Sequence, residues 1–428
     1  MSVGLQRLRE DADRLKLGAM DKGEDPAVVD RAVELDERRR ALVAEADALK
    51  GERNEASRRI GEAIRGGADP NGPEVAELKA ASASTAERIE ALDTELATVE
   101  ADLEDAMLRI PNPADPDVPV GGEDANLTVR TRGEPLPRDG RVPHWELGEA
   151  LGIIDNARGA KVTGSGWPVY VGDGATLQRA LISWFLDVHA REHGMTEVWP
   201  TVLVNSDSAR GTGQIPDKED QMYIVERDGL YLVPTAEVPV TNLHRDEILD
   251  GAALPIRYAA YSASFRREAG AAGRDTRGIL RVHQFDKVEM VSFTLPEQSP
   301  DELEWLTGCA ETLLQRLALA YRVVLMSTRE MGFVQARKYD LEVWAPGTER
   351  WLEVSSVSNF RDYQARRMAI RYRSQAGAKP ELVHTLNGSG LALPRTVAAL
   401  LETNQQSDGS VTIPEVLRPA FGGRDRIA

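Results

Sequence analysis

Two stretches, residues 28–64 and 74–110, repeat their apolar and small side chains with the period of a helix that buries one stripe. In the second, steps of three and four alternate through Val75, Leu78, Ser82, Thr85, Ile89, Leu92, Leu96, Val99, Leu103, Ala106 and Ile110. The first steps by seven through Leu35, Leu42, Leu49, Ala56 and Ala63, with Ala46 and Ile60 on the same face. Between them the run RGGADPNGP, Arg65 to Pro73, cannot continue a helix, because its prolines lack a donor and its glycines favour turns. The pattern predicts an antiparallel α-helical coiled-coil arm. At about 1.5 Å per residue each helix would reach roughly 55 Å, more than packing against one compact domain requires. Pairing with a second copy and reaching for a large partner both fit that length. Arg38, Arg39, Arg40, Arg53, Arg58, Arg59 and Arg65 load the first helix, with acidic residues interleaved as on any solvated face.

After Ile110 the periodicity stops. The run PNPADPDVPVGGEDAN, Pro111 to Asn126, forms no repeating face and predicts a linker between residues 1–110 and a second domain over residues 127–428. From about Trp145, amphipathic helical stretches such as Ala175 to Glu192 mix with short β-rich runs, YLVP, KVEMVSFTL, YRVVLM and YDLEVW. Their hairpin-length or irregular connections favour an antiparallel or mixed sheet flanked by helices, an α+β domain, over a doubly wound one. Neither a GxGxxG fingerprint nor a GxxxxGK phosphate loop is present, so a nucleotide would need another cradle.

Composition narrows the classes further. The chain has 428 residues, 42% of them hydrophobic, enough for at least one large core and two or three domains. No apolar run approaches the roughly 18 residues of a membrane span, and the start MSVGLQRLREDADRLK is charged, unlike a secretory leader. The expected location is the cytoplasm, with no membrane partner. A single cysteine, Cys309, excludes an internal disulfide and a Cys-rich zinc cluster. The formal charge of −17 opposes indiscriminate nucleic-acid binding, so any RNA contact must use local basic patches.

Candidate chemistry concentrates in FRREAGAAGRDTRGILRVHQFDKVEMVSF, Phe265 to Phe293: a strand, a Gly- and Arg-rich loop and a second strand. Arg266, Arg267, Arg274, Arg277 and Arg281 offer planar forks for phosphate oxygens. Alternation in the second strand would put Arg281, His283, Phe285, Lys287 and Glu289 on one face, suited to a nucleotide base beside an amino acid. Three more runs carry polar groups: YLVPTAEVPVTN from Tyr231, WLEVSSVSNFRDYQARR from Trp351, and HTLNGSGLALPRTVAALLETNQ from His384. Thr235 and Glu237 could meet a hydroxyl and an ammonium; Glu353 and Ser356 are hard oxygen ligands that suit Mg²⁺. A Gly-rich turn would feed a helix near Pro394, with Arg395 opposing the helix dipole unless an anion compensates.

Taken together these runs resemble the bacterial-type seryl-tRNA synthetases, over essentially the whole chain. The resemblance implies a class II synthetase fold, an antiparallel sheet flanked by helices with an N-terminal arm that binds tRNA. Its three motifs look like Ala175 to Glu192 running into TEVWP and ending at Pro200, a homodimer interface in the family; FRREAG through VEM; and GSGLALPRT. The run GTGQIP, Gly211 to Pro216, also matches. The implied substrates are L-serine, ATP with Mg²⁺, and tRNA(Ser), without a protein-bound zinc.

The roles implied fall on matching residues. Arg266 would hold the α-phosphate and the serine carboxylate, and Glu268 the adenine amino group. Phe285 would stack on the base, with Arg395 on its other face and reaching the γ-phosphate, and Val282 would meet the base through its backbone. The nucleotide set also takes in Arg267, Val354 and Ser355, and Glu353 with Ser356 would bind Mg²⁺. Thr235, Ala236, Glu237, Arg266, Glu289, Asn387 and Ser389 would form the serine pocket, with Arg266, Arg395 and Glu353 catalytic. Thr328, Arg329 and Glu330, Pro394, and Thr403 with Asn404 depart from the family pattern, which sets a specialised second copy tied to antibiotic biosynthesis or resistance beside a housekeeping enzyme.

Overall fold

The computed structural model describes residues 4–269 and 277–428. The chain divides into two compact units, Met1–Pro111 and Asn112–Ala428.

In the first unit two short helices, α1 (Leu5–Glu10) and α2 (Ala12–Asp21), precede the long pair α3 (Ala27–Arg65) and α4 (Pro73–Leu108). Pro73 opens α4, where a backbone N–H would have had no helical partner. Leu35, Leu42 and Ala46 of α3 pack with Leu92, Val99 and Leu103 of α4. Nearer the turn the seam shrinks to Ala56, Ala63, Ser82 and Thr85, all half-buried. Arg38 pairs with Glu95 and Arg88 with Glu45 at 2.8 Å, two contacts in one antiparallel register, and Lys50 reaches along the helix to Asp93 at 3.3 Å. The buried Asp36 collects Arg9 at 2.7 Å, Arg40 at 3.2 Å and Arg39 at 3.5 Å, tying α1 to α3. Hydrogen bonding from Arg9 holds its carboxyl below the usual range although burial acts the other way.

The second unit is built on an eight-stranded sheet. Its strands are β1 (Leu127–Arg132), β2 (Thr196–Val198), β3 (Ile256–Phe265), β4 (Gln284–Thr294), β5 (Tyr321–Leu325), β6 (Arg337–Ala345), β7 (Arg350–Arg361) and β8 (His384–Ala392). They lie in the order β1-β5-β6-β7-β8-β4-β3-β2. Each neighbouring pair is antiparallel except β2 and β3, which run parallel. Helices α5 (Asp173–Asp187), α6 (Ser299–Arg316) and α7 (Leu393–Asn404) pack against it. The largest core joins Leu181 and Phe185 of α5, Leu313 of α6 and Leu400 of α7 to Val288, Leu341, Val354 and Leu386 of the sheet. GSGLA is not a turn but the end of β8, and α7 follows it directly.

The proline-rich stretch after α4 is bonded into this unit. Asn112 Nδ2 donates to the carbonyls of Val334 at 3.0 Å and Phe360 at 2.9 Å, and Val118 is buried with Val324, Met326 and Met331. No helix among the described residues is long and apolar enough to cross a membrane.

Candidate active site

A cavity of about 480 Å³ opens over the middle of the sheet. Alternation explains most of its lining: Phe285, Lys287 and Glu289 are two apart on β4, and Asn387 and Ser389 two apart on β8. Glu289 and Ser389 are ladder partners. Glu353 and Ser356 are three apart on β7 and in a regular strand would face opposite ways. Here Glu342 pairs with Glu353 and Leu341 with Ser355, so Val354 is an extra, bulged residue and the two side chains return to one side.

One end of the cavity is built on carboxylates. Asn387 Nδ2 donates to Glu237 at 2.9 Å and to Glu289 at 3.0 Å, which consumes both its N–H groups. Gln364 Nε2 donates to the other oxygen of Glu237 at 2.6 Å and is itself fixed by Thr385 at 2.7 Å. Thr235 Oγ1 donates to Glu289 at 3.2 Å and accepts from Lys287 Nζ at 2.8 Å, while Lys287 also ion-pairs with Glu289. Burial, then the nearby Glu289, pushes Glu237 up to about 7. Two carboxyl groups facing one lysine leave this end short of positive charge, which is the environment an ammonium group completes.

The other end is rich in cations. Arg266 lines the cavity with much of its side chain exposed to it, its Nε donating to Pro234 O at 3.4 Å and its guanidinium 5.1 Å from the ring centre of Phe285. Burial lowers its proton affinity, with Arg395 adding to that and nearby carboxylates opposing it; a guanidinium stays charged all the same. Arg395, in the first turn of α7, donates from Nε to Leu280 O and from Nη1 to Glu353 O, both at 3.1 Å, and lies 3.5 Å from the Glu353 carboxylate. That carboxylate is the anion which compensates the helix dipole. Burial works against the charge of Glu353, but Lys338 and Arg395 more than offset it and hold the group down to about 2. Although deep in the cavity, 43% of its side chain faces the open space. Ser356 Oγ lies 2.6 Å from Asp340 and 2.9 Å from Glu353. One hydroxyl proton cannot serve both acceptors. Burial raises the carboxyl of Asp340, against the pull of the nearby Lys338.

Glu268 and Arg281 pair at 2.6 Å on the cavity wall, and Leu280, Val282, Val354 and Ser355 complete it. Two of the expected residues stand elsewhere: Ala236 is fully buried behind the lining, and Arg267 is exposed, donating to Asp220 O at 2.9 Å. Arg277 is exposed as well, and Arg274 lies outside the described residues. His283 does not share the face of Phe285. Strand β4 starts at Gln284, and the imidazole stacks on Trp167 with centroids 5.6 Å apart.

Sequence reasoning overlooked Lys218, Gln335, Lys338, Asp340 and Gln364. Burial pulls Lys218 down, and Lys338 pairs with Asp340 at 3.1 Å. Lys338 and Asp340, two apart on a strand, offered a polar alternation that could have been followed; Gln364 left no such signal. Of the departures from the family pattern, Pro394 lines the cavity, at the first turn of α7 where proline is tolerated. Thr328 and Arg329 instead hold the proline-rich stretch, through Pro119 O at 2.9 Å and Gly121 O at 3.1 Å.

Family models match in two places: a seryl-tRNA synthetase N-terminal domain over residues 4–114 and a class II tRNA synthetase core domain (G, H, P, S and T) over residues 223–404. The serine–tRNA ligase of Thermomicrobium roseum is 54% identical, over 99% of this chain and 94% of its own. That of Exiguobacterium sibiricum is 51% identical over 99% of both. Among solved structures, the seryl-tRNA synthetase of Pyrococcus horikoshii complexed with ATP superposes with a TM-score of 0.92 at 37% identity, covering 100% of this chain and 99% of that one.

Proposed function

The chain belongs to the class II seryl-tRNA synthetases, and from that membership we propose how its own side chains carry out the family's reaction, the ATP-driven ligation of serine to tRNA. One observation supports the reading most directly: a single cavity joins the Asn387-bridged carboxyl pair to the cluster of Arg266, Arg395 and Glu353. Glu237 and Glu289 take the serine ammonium, and Thr235, Asn387 and Ser389 meet its hydroxyl. An analogue without that hydroxyl would leave buried polar groups unpaired, a larger penalty than a missing methylene. Arg266 draws the serine carboxylate and the α-phosphate together for in-line attack. Leaving the face of Phe285 for the phosphate, its guanidinium makes room for adenine, which Glu268 and the Val282 backbone address. Arg395 meets the γ-phosphate. The rate gain comes from alignment and from charge already in place as the phosphoryl group reacts, with no covalent enzyme intermediate.

Among the described residues no three His, Cys, Asp or Glu side chains gather as a metal cage. The ionised Glu353 and the hydroxyl of Ser356 nevertheless fit Mg²⁺, which takes few protein oxygens and completes its shell with phosphates and water. They would hold it, and its charge would neutralise the departing pyrophosphate. We assign the hairpin to tRNA(Ser), the chain to a cytoplasmic homodimer, and the exposed Trp199 with Leu203 to the surface between subunits.

Serine-dependent ATP–pyrophosphate exchange across a panel of amino acids tests the assignment. Serine should support exchange while alanine and threonine do not; faster exchange with either sinks it. Sedimentation as a stable monomer at micromolar concentration would remove the dimer.

A further inference from the structure

Behind the cavity lies a histidine–carboxylate pair with no part in the chemistry above. His144 and Glu402 are both fully buried, with imidazole Nδ1 2.8 Å from Glu402 Oε1. Nε2 faces the N–H of Ile279 at 3.3 Å. A backbone amide only donates, so Nε2 accepts; the ring proton therefore sits on Nδ1 and is donated to the carboxylate. That carboxylate is saturated, since Oε1 also accepts from His144 N at 3.0 Å and Oε2 from Thr348 N at 3.0 Å and Thr348 Oγ1 at 3.2 Å.

Both ends of the relay belong to elements that shape the cavity. Ile279 directly precedes Leu280, Arg281 and Val282, which line it. Glu402 stands in α7, whose first turn carries Arg395, and Arg395 in turn donates to Leu280 O. The chain's return to β4 is thus bonded to one helix at two points, directly through Arg395 and indirectly through His144. Gly278 fits the same arrangement: its φ is +72°, and a Cβ there would stand 2.2 Å from His144 Nε2.

We propose that His144 is a positioning residue for the nucleotide half of the cavity, holding the backbone of Leu280–Val282 against α7 so that Arg281 and Arg395 meet ATP in register. The proposal rests on the assignment of that half to ATP. Its test is serine-dependent pyrophosphate exchange by the full-length chain carrying His144→Phe or His144→Gln, with KM measured separately for ATP and serine. Phenylalanine leaves the buried Ile279 N–H without an acceptor, so KM for ATP should rise about tenfold while that for serine moves by less than about twofold. Glutamine, whose Oε1 can accept from Ile279, should recover most of the loss. Equal rises in both constants, or no rise for ATP, overturn the proposal; a wild-type chain that fails to exchange with serine would instead overturn the site assignment. Should His144→Phe not fold, hydrogen exchange on the wild type decides. The Ile279 amide should exchange at least about a hundredfold more slowly than in the unfolded chain, and an unprotected amide overturns the relay.

Discussion

In the helical hairpin the arginine–carboxylate pairs stand in solvent: Arg88 and Glu45 meet at 2.8 Å with 55% and 47% of their side chains exposed. In the cavity Lys287 and Glu289 form the same kind of contact with 7% and 1% exposed. Water screens the first pair and leaves each partner solvated if the other is removed. The second pair has exchanged its water for Thr235 and Asn387, so deleting one group strands the rest. Ion pairs of the same charge therefore do different work in the two units. On the hairpin they present a charged, solvated surface, and in the cavity they fix one another through buried hydrogen bonds.

The largest expected effect separates the two units outright. Removing Asp30 to Leu108 takes away none of the cavity lining. Serine-dependent pyrophosphate exchange should survive near its full rate, while transfer of serine to tRNA falls below detection. A folded deletion variant that charges tRNA normally would give the hairpin another purpose.

Within the cavity, Arg266→Lys replaces a planar fork by a point charge that cannot span carboxylate and phosphate together. Turnover in exchange should drop by about a hundredfold, with a smaller change in KM for serine. A change confined to apparent affinity would move Arg266 out of the reacting centre.

Next in size, Glu289→Gln keeps the volume and removes the charge proposed to meet the serine ammonium. A charge-assisted hydrogen bond contributes about 1.5–3 kcal/mol, so serine activation should fall roughly ten- to a hundredfold with KM for ATP nearly unchanged. An unaltered serine dependence would reassign the pocket.

The pH dependence is smaller and has a definite sign. Burial and Glu289 raise Glu237 to about 7, so below that pH its carboxyl is mostly protonated and has no charge to offer. Serine kcat/KM should climb about tenfold between pH 6 and pH 8, and Glu237→Gln should flatten that rise. The same shift means that folding favours the protonated group: stability from Glu237 is fullest below the ordinary glutamate range and is lost as pH climbs through 7. A serine profile with no inflection near neutrality would mean that Glu237 is ionised throughout.

How much was legible in the sequence follows the same division. The hairpin announced itself because a two-helix unit is nearly all seam, and Leu35, Leu42, Leu92 and Val99 repeat along it. Its ends fell close to Ala27–Arg65 and Pro73–Leu108 because Gly and Pro punctuate them. The strands of the second unit were readable as short β-rich runs, but their order was not: β4 lies between β3 and β8, and β8 arrives from about a hundred residues later. The candidate site residues came from the family resemblance, with alternation used only along β4; Asn387 and Ser389 of β8 came from the resemblance alone, because a Gly-rich turn was expected there. Alternation failed at His283, because the strand had not yet begun, and it would have separated Glu353 from Ser356 had β7 not bulged at Val354. Gln364 and the pairing of His144 with Glu402 left no trace, since a contact across 127 or 258 residues has no local pattern.

The smallest expected effect tests the other side of the comparison. If the hairpin pairs are solvated and replaceable, Arg88→Ala and Glu45→Ala should each cost little, and a double-mutant cycle should return a coupling of about 0.2–1 kcal/mol. Both arginine contacts, Nε at 3.2 Å and Nη2 at 2.8 Å, go to the single oxygen Oε1 of Glu45, which is less favourable than a fork spanning both oxygens. The coupling should shrink further on raising salt to about 1 M, where the screening length falls to about 3 Å. Helix content by circular dichroism and the urea midpoint should be almost unchanged in either single variant. A coupling above about 2 kcal/mol that persists in high salt would show that the hairpin depends on its surface charges as the cavity depends on its buried ones, and the contrast drawn between the two units would fail.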